Sequence, residues 1–283
     1  MNALYSQLVP RAVPDDWYGK LFDFRYALID QIRKPRHLAS CEAKSIIQLT
    51  GIEPPGPVLD MACGYGRHCL AFAQDKFLVH GIDQSGELLS QARKSLTGKL
   101  GLVTLKQADL TTLNWPRNEY RLALCLDTSW GYCATHNEDM SILDGAFRAL
   151  EPGGWLVFEQ VNFSAKHVRW RLNEEFRLSD NLLYRKNSRL LDNMRLWVGS
   201  YEYRSGSRQI RYPFRVRLHT AQDLIGILVH VGFRRLDISL LGNLSGSGFH
   251  AARSSAMILI AKKPNIYKTH GRRRGENYES RPK

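Results

Sequence analysis

Apolar positions recur at helical spacing over residues 15–50. Trp17, Leu21, Phe24 and Tyr26 form one run, and Ala43, Ile46, Ile47 and Leu49 a second. The stretch "GIEPPGP", residues 51–57, stops the helix and introduces a strand. From there the pattern switches between short apolar runs and amphipathic ones. "PVLDMA", "LVHGID", "LVTLKQAD", "YRLALCLDT" and "GWLVFEQV" read as five strands. "GRHCLAFAQD", "SGELLSQARKSL" and "NEDMSILDGAFRAL" read as the helices between them. Strands alternating with helices predict an α/β fold with a doubly wound, mostly parallel sheet.

Residues 165–218 break that rhythm. "NMRLWVGSYEYRSGSRQIRYPFRVRLH" alternates like paired strands, with a turn at Ser205-Gly206-Ser207, so an antiparallel β excursion over the sheet is expected. "TAQDLIGILVHVGF" returns to helix, with Thr220 as N-cap and Gly232 after the end. "RRLDISLLG" and "SSAMILIAKK" then read as two antiparallel strands, for seven in the main sheet.

Composition narrows the class. The 283 residues are 43% hydrophobic and 24% charged, ordinary for a soluble globular chain, and suffice for one large α/β domain. No apolar run reaches the ~18 residues of a membrane span, and the first twenty residues lack a signal-peptide apolar region. A cytoplasmic protein without membrane partners is the expectation. Five cysteines, none at C-x-x-C spacing, point to buried free thiols rather than disulfides or zinc. No His, Cys and carboxylate grouping has ligand spacing, so no metal is expected. The net charge of +13 favours acidic partners, but +6 of it lies in Lys262–Lys283, whose end, 264–283, reads as a basic, disordered tail.

The chemistry begins at "PVLDMACGYGRHCLAFA", Pro57–Ala73. The dinucleotide fingerprint wants three glycines after a strand; here Gly64-x-Gly66-x-x-Cys69 has two. Asp60, four residues before Gly64, would repel a pyrophosphate but welcome a cationic amine. Asp83, 19 residues beyond Gly64, ends the second strand, where a carboxylate can accept both ribose hydroxyls. Asp109, after the third strand, is placed for an adenine amino group.

"VLDMACGYGRH", "GIDQS", "QADL" and "LEPGGWLVFE", in this order and spacing, resemble the successive motifs of class I S-adenosylmethionine-dependent methyltransferases. The resemblance covers roughly residues 15–262. It is greatest to the small-molecule branch, through "DTSWGY" after strand four and "LHTAQDL…VGF". It implies a Rossmann-like, seven-stranded methyltransferase sheet over residues 51–263, an N-terminal helical lid region (1–50) and a substrate-covering insertion (165–218). The implied cofactor is S-adenosyl-L-methionine. Asp60, Gly64 and Gly66 would line its methionine part, Asp83 its ribose, and Gln84, Asp109 and Leu110 its adenine. Leu126 and Asp127 would lie at the sulfonium.

The implied reaction is in-line displacement on the sulfonium methyl, which depends on positioning and desolvation. By the same resemblance Tyr132 stands where substrate-facing groups lie, though it also fits as packing over the cofactor. His219 would lie near the pocket mouth. His250, in a Gly-rich loop, is a further catalytic candidate, His136 a loop residue, and Glu159 either faces the pocket or caps the sheet. Trp17, Tyr18, Phe22 and Tyr26 would form the lid, with Tyr18 contacting the cofactor. Arg215 and Arg217 share a strand face and either grip a substrate anion or face solvent. Trp197, Tyr201 and Tyr203 share another face, an apolar wall. The expected partner is a small-molecule or peptide-sized acceptor, methylated on N or O, in the manner of secondary metabolism. A nucleic-acid or protein methyltransferase is the alternative, since the chain is basic. Strand four ends in "LDTSWGY", however, rather than the N-P-P-aromatic run of base-amine methylation. A non-catalytic binding protein is disfavoured by the intact Asp60, Gly64, Gly66 and Asp83 set.

Overall fold

A computed structural model describes residues 13–98 and 101–265. The first twelve residues, and the basic tail from residue 266 onward, lie outside the described residues. Three helices come first: α1 (Trp17–Leu21), α2 (Phe24–Arg33) and α3 (Arg36–Thr50). The Asp23 side chain caps α2 by accepting from the Arg25 and Tyr26 amides, and Gly51 ends α3 in the left-handed conformation.

The strand–helix rhythm follows as β1 (Pro57–Met61), α4 (Arg67–Gln74), β2 (Leu78–Asp83), α5 (Gly86–Ser95), β3 (Val103–Gln107), β4 (Tyr120–Cys125), α6 (His136–Ala149) and β5 (Leu150–Val161). After the insertion come α7 (Ala221–Val231), β10 (Ile238–Leu241) and β11 (Ala256–Lys262). The seven strands lie in the order β10-β11-β5-β4-β1-β2-β3, with β11 antiparallel to both neighbours. Period-two alternation buries both faces. Leu59, Met61, Ala123 and Cys125 pack with α6 and α7, whereas Val58, Leu122 and Leu124 pack with α3, α4 and α5. Capping boxes start α6 (Thr135 with Glu138) and α7 (Thr220 with Asp223).

The insertion holds more strands than the sequence pattern predicts. It opens with a 3-10 helix, Lys166–Leu172, and forms a separate antiparallel sheet of four strands: β6 (Asn173–Ser179), β7 (Leu182–Leu191), β8 (Leu196–Ser205) and β9 (Arg208–Arg217). β6 and β7 escape a hydrophobic reading because their inward positions include Glu174 and Lys186, which pair with each other instead of with water. Trp17, Leu21 and Ile29 of the lid pack with Tyr184, Tyr201 and Phe214 of this sheet in a third core.

β1 sits at the point where chain order reverses, with β2 on one side and β4 on the other. In wound sheets that point opens a crevice beyond the carboxyl ends of the strands. Here the lid and the second sheet roof the crevice.

Candidate active site

The β1–α4 turn uses its two glycines differently. Both have positive φ, 57° at Gly64 and 76° at Gly66. The Gly64 amide donates to Asp83 Oδ2 at 2.8 Å, tying the turn to the end of β2, and Gly64 lines a hollow of about 90 Å³. Gly66 is not among the residues that line it. A Cβ there would come within 3.0 Å of Ala92 Cβ, so this glycine lets α4 approach α5.

Around the turn the acids gather. Asp83 is 8% exposed and accepts from the Gly64 and Ser85 amides, both at 2.8 Å. A carboxylate offers about four acceptor sites, so capacity remains for a hydroxyl donor. Burial raises its pKa, as it does for Asp60, whose carboxylate accepts from Cys69 Sγ at 3.2 Å. Asp127 follows β4 with φ of 60°, its amide donating to Glu159 Oε2 at 3.1 Å. Its carboxylate is paired with Lys34 and, at 2.5 Å, with Arg67. Although burial opposes it, these cations hold Asp127 well below the usual carboxylate range. Asp60, Asp127 and Arg67, which line the hollow of about 90 Å³, thus offer both charges that an amino-acid head group needs. Next to them lies a hollow of about 70 Å³, lined by Tyr18, Asp83, Gln84, Asp109 and Leu110. Its apolar sides and terminal carboxylates suit a nucleoside. S-adenosylmethionine joins these two parts, so the residues present fit it.

A larger cavity, about 570 Å³, lies between the lid, the ends of β4 and β5, and the second sheet. Phe22 and Tyr132 line all three spaces. Tyr132 stacks on Phe22 with ring centroids 5.7 Å apart, and its carbonyl accepts from Trp17 Nε1 at 3.3 Å. Trp197, Tyr201, Phe214 and Phe176 form the far wall. Glu159 faces this cavity, its pKa raised by burial and by Asp127.

Other expected positions lie elsewhere. His219 lines none of these spaces. Its ring packs on Trp130 and His136, with centroids 5.0 and 6.0 Å away, and burial beside Arg217 pushes its pKa down to about 3. His250 is exposed in the β10–β11 loop, where Nδ1 accepts from the Ala252 amide. Arg215 and Arg217 neither grip a ligand in these spaces nor face solvent. Each is 8% exposed; Arg215 pairs with Asp15 and Arg217 with the fully buried Asp139. Tyr203 shares the face of Trp197 and Tyr201 but packs on Tyr184 and Tyr212 rather than lining the cavity. Burial raises the Tyr132 hydroxyl well above its ordinary value, so it serves as a neutral group.

The charged lining that the sequence reading missed is Asp30 and Arg33 on α2, Lys34 just after it, and Glu42, Arg171, Glu174 and Lys186. Tyr26, Asp30, Arg33 and Lys34 fall at i, i+4, i+7 and i+8, one face of a helix, and that spacing was the available signal.

Residues 58–154 match the family model described as a methyltransferase domain. A S-adenosylmethionine-dependent methyltransferase from Clostridium acetobutylicum superposes with a TM-score of 0.68 at 18% identity, over 85% of this chain and 98% of that one. The CcbJ methyltransferase of Streptomyces caelestis gives 0.66 at 18% identity, over 81% and 96%. Among curated relatives, an N,N-dimethyltransferase of dTDP-3-amino-3,4,6-trideoxy-alpha-D-glucopyranose from Streptomyces venezuelae is 30% identical over 122 residues, 42% of this chain and 49% of that one. YqeM of Bacillus subtilis is 32% identical over 104 residues, 37% and 42%. The chain therefore spans less than half the length of these two curated relatives. Residues 58–154 thus form a methyltransferase domain, and the strand order is the fold of the S-adenosylmethionine-dependent methyltransferase on which the chain superposes.

Proposed function

We propose that the protein transfers a methyl group from S-adenosylmethionine to an amine of a small acceptor held between its two sheets. The observation that carries this reading is the meeting of the nucleoside and head-group hollows with the 570 Å³ cavity at Phe22 and Tyr132. A polymer substrate calls for an open basic track. A cavity walled by Trp197, Tyr201, Phe214 and Phe176 suits a compact molecule instead.

The cofactor supplies an electrophilic methyl on a sulfonium; the chain supplies position and charge. Asp83 holds the ribose hydroxyls, and Gln84, Asp109, Leu110 and Tyr18 frame the adenine. Asp60 and Arg67 hold the head group. Phe22 and Tyr132 exclude water where the two spaces join. At that junction the Glu159 carboxylate receives a protonated amine, the Asp127 charge being taken up by Lys34 and Arg67. The amine must lose its proton before its lone pair can attack. Glu159 accepts it, since burial and the neighbouring Asp127 charge lift its pKa towards that of a useful base. The relative named for N,N-dimethylation of an amino sugar supports a nitrogen acceptor.

The test is to incubate the protein with S-adenosyl-[methyl-d3]methionine and a cell extract, then separate small molecules from protein and nucleic acid before mass spectrometry. Trideuteromethyl label on small amines supports the reading. Label confined to RNA, DNA or protein replaces it with the polymer reading.

A further inference from the structure

Asp30 is a buried carboxylate to which the proposed reaction gives no task. It lies on α2, is 8% exposed, and lines both the hollow of about 90 Å³ and the cavity of about 570 Å³. Ala27 and Ile29 on the same helix are fully buried, so a charge here is set among apolar positions and asks for compensation. Its Oδ2 accepts from the Tyr65 hydroxyl at 3.0 Å, and among the described residues that is its one side-chain donor. Tyr65 stands between Gly64 and Gly66, so this bond ties the lid to the glycine turn. A carboxylate has about four acceptor sites, which leaves Asp30 with capacity for further donors.

The cations around Asp30 are committed to other carboxylates. Lys34, one turn on, pairs with Asp127, and Arg33 pairs with Glu174. Arg67 bonds Glu42 at 2.6 Å and Asp127 at 2.5 Å, and it feels the Asp30 charge less than those two. His68 Nε2 meets Glu42 at 2.9 Å. Lys186 pairs with Glu174 at 2.5 Å, burial pushing its pKa down to about 8 despite that partner. Lys186 and Arg171 line the larger cavity and are not among the residues that line the hollow.

The hollow itself carries Asp30, Asp60, Asp83 and Asp127 against Arg67 and His68. Asp83 already accepts from the Gly64 and Ser85 amides, and Asp127 is taken up by Lys34 and Arg67. Asp60 and Asp30 remain. Burial works against a charge on Asp60, whose side-chain donor is Cys69 Sγ. The head group of S-adenosylmethionine brings a carboxylate, which Arg67 answers, and an ammonium with three N–H donors. We infer that Asp30 is a donor-binding residue, which meets that ammonium from the lid while Asp60 meets it from the end of β1. The lid then reads the amino group of the methyl donor. This assignment rests on the reading of the hollow as the head-group site.

The experiment is calorimetric titration of the full chain with three ligands. They are S-adenosylhomocysteine, its deaminated analogue with hydrogen in place of the amino group, and 5′-methylthioadenosine, which lacks the whole head group. In the wild type, loss of the amino group should weaken binding about ten- to a hundred-fold, the size of a charge-assisted contact. Asp30→Asn should weaken S-adenosylhomocysteine about tenfold and leave the two ligands without an amine within about twofold of wild type. Tyr65→Phe, which releases Oδ2, should give the same pattern more weakly. It serves if Asp30→Asn does not fold, as judged by its melting curve, and the absence of any amine-selective loss in it overturns the assignment. Unchanged S-adenosylhomocysteine affinity in Asp30→Asn, as expected of a group serving the larger cavity only, overturns it too. So does an equal loss for all three ligands, the mark of a purely structural role. A wild type that binds none of the three would instead remove the donor site, and this assignment with it.

Discussion

Replacing Asp83 with alanine tests the donor pocket where its geometry is most explicit. The native carboxylate accepts from the Gly64 and Ser85 amides at 2.8 Å each and is 8% exposed. Truncation removes the acceptors proposed for the ribose hydroxyls, worth about 1.5–3 kcal/mol for hydrogen bonds to a charged group. That converts to roughly a ten- to hundred-fold weaker Kd for S-adenosylhomocysteine. It also strips two amides of their acceptor, at about 1–3 kcal/mol each where water does not replace it, so the melting temperature should fall as well. The two effects separate through Asp83→Asn, which keeps a carbonyl oxygen and the side-chain volume while losing the charge. Calorimetry on both variants, well below their melting temperatures, should rank affinity as wild type, then Asn, then Ala. An alanine variant that stays folded and binds with wild-type affinity would refute the ribose role.

Glu159→Gln retains an oxygen for the Asp127 amide and removes the base. Steady-state kinetics should show kcat reduced on the order of 10²-fold, with loss of the rise in rate with pH that ionisation of Glu159 produces; an unaltered pH profile would clear Glu159 of the role. Gly66→Ala should lower stability by about 1–2 kcal/mol in denaturant unfolding, from the positive φ and the 3.0 Å approach to Ala92. Stability should also rise with pH between about 8 and 10.5 through Lys186, because the folded pKa lies below the ordinary one and the unfolded chain binds more protons there. Of the groups around it, Arg33, although burial opposes it, is pushed up by Tyr201, Tyr184 and Glu174 and keeps its charge across that window, and Tyr201, pushed up to about 12, stays neutral. Lys186→Met should flatten the rise in unfolding measured against pH; an identical slope would show that Lys186 is not the titrating group.

The main sheet was legible in the sequence because its signals are local. Asp60, Gly64 and Asp83 each stand at a strand end, and strand-end position follows from apolar runs bounded by turns. The same logic placed Thr220 and Gly232 at the ends of α7. It failed where burial is decided by pairing across elements. Arg217 alternates like a surface residue, yet it is buried because Asp139, far away in sequence, waits for it on α6. Lys186 and Glu174, on neighbouring strands, are likewise buried by pairing with each other. His219 precedes a helix cap, as a pocket-mouth residue would, but Trp130 and His136 take up its ring. Gly66 belongs to a cofactor motif, and its φ of 76° and the closeness of Ala92 ask for a glycine there as well. A local pattern names the strand ends; it cannot name the partner that each polar side chain finds in the second sheet.

The account turns on two spaces, one for the methyl donor and one for the acceptor, meeting at Phe22 and Tyr132. A crystal structure of the protein with S-adenosylhomocysteine tests this most directly. It should show the ribose hydroxyls on Asp83, the adenine beside Leu110, and the sulfur at the Phe22–Tyr132 junction, facing the cavity that holds Trp197 and Tyr201. A ligand bound elsewhere, or one whose sulfur points away from that cavity, would contradict it.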